Sequence, residues 1–311
     1  MAIGKRIEPE QAVKIEQFIP HAIPLFTLAD LILPETTQTA LLDFLAYRKH
    51  EARIFNEWGL AKTHQHQRQT AINLYGLPGT GKTMAAHAVA HELGMPLIMV
   101  NYAELESKYV GETSKNIARL FADAQQQGAI IFFDEADAIL SRRVSNMSNS
   151  TDVSVNQTRS VMLTLMNQHD GLIIFTTNFI ENYDPAFMRR ILAHIHFTLP
   201  DQPCRVRLWH QYIPAELPHS VDIPMLAAFS EGLSGSDISN CVLKAAMSAA
   251  RQNALTLDAV HFRQAIDEVI TSKSANERRG GEGPVKVKER IVSEDYVKGQ
   301  INSKQLEEMK S

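Results

Sequence analysis

Residues 76–83 combine glycines, a lysine and a threonine in an order that suits a bound polyphosphate. The segment reads GLPGTGKT and lies between a short apolar run and a segment with helical periodicity. Glycines allow backbone N–H groups to turn toward phosphate oxygens, and the helix that follows adds the positive end of its dipole. Lys82 is expected to contact the β- and γ-phosphates, and Thr83 to offer its hydroxyl to Mg²⁺. The loop therefore predicts a nucleoside triphosphate site instead of an incidental glycine-rich turn.

Two adjacent acids follow the apolar run 130–133. A buried strand that ends in carboxylates delivers them to the carboxyl edge of its sheet, where ligands bind in α/β folds. Asp134 is expected to hold Mg²⁺ through water, and Glu135 to orient and polarise an attacking water as a general base. Acids after a strand also serve as helix caps, and we interpret Asp137 as a cap or structural acid.

Polar side chains further along the chain could complete a hydrolytic site. Asn178 ends another apolar run, so its amide is expected near the γ-phosphate, although an asparagine here could equally begin a turn. Arg189 and Arg190 are adjacent, and paired surface arginines are commonly solvated. In a ring they could instead reach the neighbouring subunit's γ-phosphate, where an arginine supplied in trans accelerates related GTPases by about 10³–10⁵. The sequence does not distinguish which of the two would do so.

Apolar periodicity predicts the elements that would position these side chains. We predict strands at 71–75, 97–100, 129–133, 172–176 and 195–199. Predicted helices alternate with them at 34–58, 82–93, 112–127 and 155–169. This alternation is typical of an α/β fold, a parallel sheet covered by helices on both faces. Beyond Pro200 and Pro203 only helices are predicted, at 226–229, 237–251 and 258–270, which indicates a smaller all-helical domain.

The chain is thus expected to comprise an N-terminal arm (1–30), a large domain (31–200), a small helical domain (201–275) and a flexible tail (276–311). A net charge of −4 and the lack of a Lys/Arg-rich element give no reason to expect nucleic acid as a partner. Cys204 and Cys241 lack metal-ligand spacing and are too few for a disulfide framework. With no signal peptide and no run of about 18 apolar residues, we expect a cytoplasmic protein without a membrane span.

Taken together, these residues resemble the AAA+ superfamily of P-loop NTPases over roughly 34–270. Within it, the chain resembles the protein-remodelling clade that includes katanin, spastin and FtsH-like ATPases. The segment 232–237 (GLSGSD) matches the motif of that clade's helical lid domain near the adenine. The resemblance implies ATP and Mg²⁺ as ligands and a homo-hexamer as the working assembly. It implies nucleotide contacts by Pro78, Gly79, Thr80, Gly81, Lys82, Thr83, Met84, Tyr212, Gly235 and Ser236.

The same resemblance places Lys108, Tyr109 and Val110 in the clade's pore loop. An exposed Tyr109 beside Val110 would give a ring of apolar surfaces that grips an extended chain without reading its sequence. Tyr109 could instead pack into the core, but Lys108 and Glu112 bracket it with charge and favour exposure. The segment 144–156, rich in Ser and Asn, lies where a second pore loop would be and is expected to be mobile.

The resulting hypothesis is an ATP-driven hexameric protein remodeller or unfoldase. A single small ATPase module is also similar to bacterial relatives of the pachytene-checkpoint ATPases, which implies a HORMA-domain client in an antiphage system. The alternatives are a DNA-handling ATPase, such as a helicase loader or transposition regulator, and a nucleotide-switched scaffold. No H-E-x-x-H protease motif is present, so FtsH-like proteolysis is not expected.

Overall fold

The computed structural model of the protein describes residues 22–64, 71–100, 113–141, 150–178 and 183–280. These residues contain a five-stranded sheet whose neighbouring strands all run parallel. The strands are β1 Ala71–Gly76, β2 Leu97–Val100, β3 Ile130–Phe133, β4 Ile173–Thr177 and β5 Ile191–Phe197. Their spatial order is β2-β3-β4-β1-β5. Because β1, β3 and β4 are neighbours and run the same way, the segments that follow them meet at one edge of the sheet.

Helices connect the strands and then continue alone. Around the sheet lie α1 Glu35–Lys49, α2 Lys82–Leu93, α3 Thr113–Gln127, α4 Asp137–Leu140, α5 Ser150–Gln168 and α6 Pro185–Met188. The helical part consists of α7 Gln202–Tyr212, α8 Ile223–Phe229, α9 Gly235–Arg251 and α10 Ala259–Gly280. Short turns of 3₁₀-helix cover Leu28–Asp30 and Leu60–Lys62, and a π-helical turn covers Arg53–Glu57. This arrangement confirms the predicted α/β fold and the helical domain after it.

Alternate residues of the strands supply two hydrophobic cores, one on each face of the sheet. On one face, β3 and β4 contribute Ile131, Phe133, Ile173 and Phe175, and these pack with side chains of α3 and α5. On the other, the intervening residues such as Ile130 pack with α1 and α2. Burial on both faces explains why β3 and the first half of β4 are unbroken apolar runs in the sequence. It also explains why sequence alone located them.

Several predicted boundaries were wrong. Helix α1 ends at Lys49 instead of continuing to Trp58. Helix α5 begins at Ser150 instead of at residue 155. Strand β5 begins at Ile191. Helix α10 continues to Gly280, into the predicted tail, because 276–279 contains good helix formers.

Among the described residues, no helix combines the length and apolar character needed to cross a bilayer.

Candidate nucleotide-binding site

The polar segments that follow β1, β3 and β4 line one cleft of about 140 Å³ at the carboxyl edge of the sheet. Its lining residues are Pro78, Gly79, Lys82, Thr83, Asp134, Glu135, Thr176, Thr177 and Asn178. Parallel topology is the cause, since it brings the ends of three strands that are distant in sequence to one place. The residues that the sequence assigned to phosphate binding, Mg²⁺ binding and water activation therefore lie together.

Lys82 lies at the centre of this cleft and is almost fully buried. Its ammonium donates to the carbonyl oxygens of Gly76 at 2.7 Å and Leu77 at 2.9 Å. A third bond goes to Asn178 Oδ1 at 2.9 Å, which places the predicted γ-phosphate residue beside the lysine. Burial lowers the pKa of Lys82, while Asp134 and two further carboxylates act in the opposite direction. The carboxylates thus help to keep a desolvated cation where phosphate oxygens would arrive.

Oxygen ligands suited to a divalent cation lie next to the lysine. Thr83 Oγ1 donates to Asp134 Oδ2 at 3.2 Å, so a hydroxyl and a carboxylate face each other across the cleft. Thr176 Oγ1 donates to Asp134 Oδ1 at 2.5 Å and fixes the carboxylate from the β4 side. Mg²⁺ prefers one or two carboxylates together with water and phosphate oxygens. The donor set formed by Thr83 and Asp134 fits that preference.

Glu135 occupies an unusual backbone conformation for a residue that is not glycine. Its φ of 52° is left-handed, a conformation that costs about 1–3 kcal/mol and that clusters at functional sites. The backbone is held there because Glu135 N donates to Thr176 Oγ1 at 3.0 Å and Ala136 N donates to Thr176 O at 2.8 Å. The side chain is exposed and lines the cleft, so it can reach a water molecule there.

Thr176 is a site residue that sequence reasoning did not identify. It bonds to the Asp134 side chain and to the backbone of both Glu135 and Ala136, and so aligns the two acids. Its position as the penultimate residue of a buried strand looks ordinary in sequence. Only the pairing of β3 with β4 brings it to the acids.

A second cavity, of about 280 Å³, adjoins the glycine-rich loop on its other side. Its lining residues include Met84, Tyr212, Gly235 and Ser236, all of which the resemblance to the AAA+ superfamily assigned to nucleotide contacts. Sequence reasoning missed the remaining lining residues outside the loop, Asp30, Leu31, Ile32, Leu33, Pro34, Thr198, Pro200, Leu208 and Gln211. The apolar run 31–33 before a proline was their one detectable signal, and it lay at the expected arm boundary. A purine and its ribose are the chemistry that such a half-apolar cavity beside a phosphate loop could hold.

The loop and the helical part of the chain touch at Gly79. Ser236 N donates to Gly79 O at 3.3 Å. Gly79 has a φ of 75°, and a Cβ built on it would lie 2.6 Å from Ser234 Oγ and 2.9 Å from Ser236 Cβ. Glycine is therefore required here for both conformation and space.

Arg189 and Arg190 are absent from the residues that line these two cavities. Arg190 is half-buried, and it donates from Nη1 to Ala186 O at 2.7 Å and from Nε to Asn167 Oδ1 at 2.8 Å. Arg189 is exposed. The predicted pore-loop residues Lys108, Tyr109 and Val110 lie outside the described residues.

Asp137 has a structural role, consistent with its interpretation from sequence. It is the first residue of α4 and accepts a hydrogen bond from Thr177 Oγ1. It therefore ties the start of α4 to the end of β4, just before Asn178.

Comparison with known proteins identifies both parts of the chain. Residues 72–199 match the family described as ATPase family associated with various cellular activities (AAA), and residues 220–264 match the AAA+ lid domain. The chain is also similar to the solved FIGL-1 AAA domain, with a TM-score of 0.66, 22% identity and coverage of 85% of this chain and 92% of that one. At this identity the likeness concerns the fold alone.

Curated relatives include a proteasome regulatory subunit, a proteasome-activating nucleotidase and spastin. The 26S proteasome regulatory subunit 8 homolog of Schizosaccharomyces pombe is 35% identical over 217 residues, which is 66% of this chain and 53% of that protein. The proteasome-activating nucleotidase of Methanopyrus kandleri is 36% identical over 210 residues, 65% of this chain and 48% of that protein. Spastin of Ixodes scapularis is 33% identical over 247 residues, 72% of this chain and 37% of that protein. The chain thus spans about half the length, or less, of these relatives.

Three findings support the same assignment: the parallel sheet, the cleft that contains Lys82 and the two acids, and the two matched domains. Together they identify the chain as an AAA+ ATPase, in which an AAA domain is followed by an AAA+ lid domain.

Proposed function

We propose that the protein is an ATP-driven protein remodeller that works as a homo-hexamer. The observation that carries this proposal is the convergence of Lys82, Thr83, Asp134, Glu135 and Asn178 on one cleft. A site built only to bind nucleotide would not need Glu135 held in a costly backbone conformation beside the phosphate-binding lysine. That geometry therefore favours a protein that hydrolyses ATP over a scaffold that only binds it.

Binding of ATP would use groups that are already positioned. The loop N–H groups and Lys82 would take the β- and γ-phosphates, and the cavity around Tyr212 would take the nucleoside. Thr83 and Asp134 would hold Mg²⁺, which when bound neutralises phosphate charge. Lys82 is already held by hydrogen bonds to two backbone carbonyls and Asn178. Phosphate oxygens would replace these acceptors, and the lysine side chain would lose little further conformational entropy.

Hydrolysis would follow from the placement of Glu135. Its carboxylate accepts a proton from a water whose oxygen forms a bond to the γ-phosphorus, while the bond from that phosphorus to the β–γ bridging oxygen breaks. The electron pair leaves with ADP, and inorganic phosphate is the second product. Lys82 and the Asn178 amide, which lie beside each other, would contact the γ-phosphoryl oxygens and stabilise the charge that accumulates on them.

The arginines provide the reason to propose a ring. Neither Arg189 nor Arg190 lines the two cavities that the described residues form, so either of them would act at a γ-phosphate bound by a neighbouring subunit. We assign the contact to Arg189, which is exposed, and a bracing role to Arg190, whose guanidinium is engaged by Ala186 and Asn167. The six-fold count rests on the resemblance to the remodelling clade.

The proposed client is a protein segment gripped by the loop that contains Lys108, Tyr109 and Val110. The resemblance to bacterial relatives of the pachytene-checkpoint ATPases makes a HORMA-domain protein of an antiphage system the candidate. The similarity to spastin and to proteasomal ATPases supports a protein client in general terms.

A nucleotide-dependent trap tests the proposal. Glu135→Gln keeps the volume of the side chain but removes the base, so we expect ATP turnover to fall by about 10² or more while ATP binding persists. The matched control is Glu216→Gln, the same change at an exposed residue of the helical part, which should leave turnover unchanged. The trapped protein is then recovered from its host with ATP and, separately, with ADP.

Capture of a discrete folded protein with ATP but not with ADP, and loss of its remodelling in Tyr109→Ala, is the expected result. A HORMA-domain protein among the captured material would establish the narrower assignment. Full ATP turnover by Glu135→Gln, or recovery of DNA in place of protein, would reject the proposal.

A further inference from the structure

Beyond the end of β3, the hydrogen bonds to β4 shift by one residue. Within the paired strands, Ile131 N donates to Leu172 O at 3.0 Å. A parallel ladder repeats this bond at every second residue, so a regular continuation would send Glu135 N to Thr176 O. Ala136 N takes that carbonyl instead, at 2.8 Å. We call this displacement the one-residue slip after β3.

The one-residue slip decides which side chain faces the cleft. Ile131 and Phe133 lie in the core on one face of the sheet, and a regular strand would direct Glu135 to that same face. Ala136 lies in that core instead and is fully buried. Glu135 is exposed and lines the nucleotide cleft. The slip thus keeps a carboxylate out of an apolar core and aims it at the cleft, as β-bulges do beside active sites.

The Thr176 side chain supplies the hydrogen bond that the slip would otherwise remove. Because Ala136 N occupies the Thr176 carbonyl, Glu135 N donates to Thr176 Oγ1 instead, at 3.0 Å. The hydroxyl has a single proton, which it donates to Asp134 Oδ1 at 2.5 Å, so its oxygen is oriented to accept from Glu135 N. An apolar residue at this position would leave Glu135 N without this acceptor, which destabilises the slipped turn.

We propose that Thr176 is a positioning residue for ATP hydrolysis, whose hydroxyl holds the one-residue slip and thereby keeps Glu135 aimed into the cleft. A position that required only strand propensity and packing would accept valine, which has the shape of threonine without the hydroxyl. Without the hydroxyl, Glu135 leaves its left-handed φ of 52° and its carboxylate turns away from the cleft. This inference rests on the proposed role of Glu135 as the base.

Three variants of the full chain separate positioning from packing. Thr176→Val removes the hydroxyl, and Thr176→Ser keeps it. The matched control is Thr37→Val, the same change at a threonine that is equally buried and whose Oγ1 donates to His196 O at 2.8 Å. Thr37 lies outside the residues that line the two cavities. Thermal melting shows that each variant folds, and both valine variants should melt below wild type because each loses a buried hydrogen bond.

The informative measurements are kcat and KM for ATP, together with the affinity for fluorescent ADP. In Thr176→Val we expect kcat to fall by about tenfold or more, since displacement of a reacting group by about 1 Å can slow a reaction by about 10²-fold. KM and ADP affinity should stay within about twofold of wild type, because the residues that bind the phosphates are unchanged. Thr176→Ser and Thr37→Val should keep the kcat of wild type.

Combination with Glu135→Gln shows whether the hydroxyl acts through Glu135. In that background Thr176→Val should change the single-turnover rate by less than about twofold, because the group that Thr176 positions is no longer a base. An equal fractional loss in both backgrounds overturns the inference, since the hydroxyl would then act on another part of the site.

Two further outcomes also overturn it. One is a folded Thr176→Val that keeps the kcat of wild type, and the other is a Thr176→Ser that is as slow as Thr176→Val. In either case a slow Glu135→Gln leaves the proposed function standing. Full turnover by Glu135→Gln alone would instead reject the proposed function, and this inference with it.

Discussion

Gly79 is the residue at which the phosphate-binding loop meets the lid. Its left-handed φ and its contacts with Ser234 and Ser236 leave no space for a side chain. We expect Gly79→Ala to push the loop and the lid apart. Displacing the phosphate-binding backbone should weaken ADP binding by about tenfold or more, a loss of about 1.4 kcal/mol, measured by isothermal titration calorimetry.

Gly59→Ala is the control for backbone strain. Gly59 has a φ of 77°, close to that of Gly79, but nothing lies within 4 Å of a Cβ built there. Both variants should lose about 1–2 kcal/mol of stability from the left-handed conformation. Only Gly79→Ala should lose nucleotide affinity, and an equal loss in both would show that the contact with the lid is irrelevant.

At the scale of residues, most residues of the nucleotide site could be predicted from the sequence because they lie in two contiguous motifs. Lys82 and Thr83 follow the glycines directly, and Asp134 and Glu135 directly follow an apolar run. Thr176 was not readable, because its role depends on which strand lies beside β3. The apolar residues 31–33 were missed for the same reason, because only the tertiary structure brings them to the cavity beside the loop.

At the scale of elements, the N-terminus of α9 carries a cap that stabilises the lid. Ser234 accepts a hydrogen bond from Asp237 N, and Asp237 Oδ2 accepts from Ser234 N at 2.9 Å. Ser234→Ala removes one half of this capping box and should cost about 1 kcal/mol of stability. Hydrogen exchange in the first turn of α9 should accelerate, measured by mass spectrometry.

Ser248→Ala makes the same chemical change in the last turn of that helix, where the hydroxyl accepts an exposed hydrogen bond from Gln252 Nε2 at 3.3 Å and caps no first-turn N–H. Because alanine has the higher helix propensity, we expect stability to be unchanged or slightly raised, and exchange in the first turn of α9 to stay slow. Faster first-turn exchange in Ser248→Ala would mean that the substitution, and not the cap, is responsible.

The existence and type of most elements could be predicted, whereas their ends could not. The predicted bounds of α2, 82–93, were correct, and Gly94 directly after it has the left-handed φ of 65° that favours glycine at a helix end. The start of α5 was not found because Ser and Asn are common in loops as well as at helix starts.

At the scale of the whole molecule, three histidines in different parts of the fold are held in environments that disfavour their charged form. Burial lowers the pKa of His87, His169 and His194 below the usual 6.5. For His87 the geometry gives a second reason, because Nδ1 accepts a hydrogen bond from Leu25 N at 3.3 Å and cannot do so when protonated. Folding therefore excludes protons that the unfolded chain would bind.

The sign of the resulting pH dependence follows directly. Well above pH 6.5 these three rings are neutral in the folded and the unfolded chain, so they give the free energy of unfolding no dependence on pH. As the pH falls through 6.5, the unfolded chain binds protons that the folded chain does not, and the free energy of unfolding should decline. Carboxylates with lowered pKa, such as Glu92, reduce the free energy of unfolding only near and below their usual pKa of 4.5, so the interval between these pH values isolates the histidines.

His87→Asn retains an acceptor near Nδ1 yet cannot titrate, so urea unfolding should show a shallower decline of stability with falling pH than in wild type. His210→Asn, at an exposed position, should leave the slope unchanged; a slope identical in all three proteins would mean that burial of His87 does not exclude a proton.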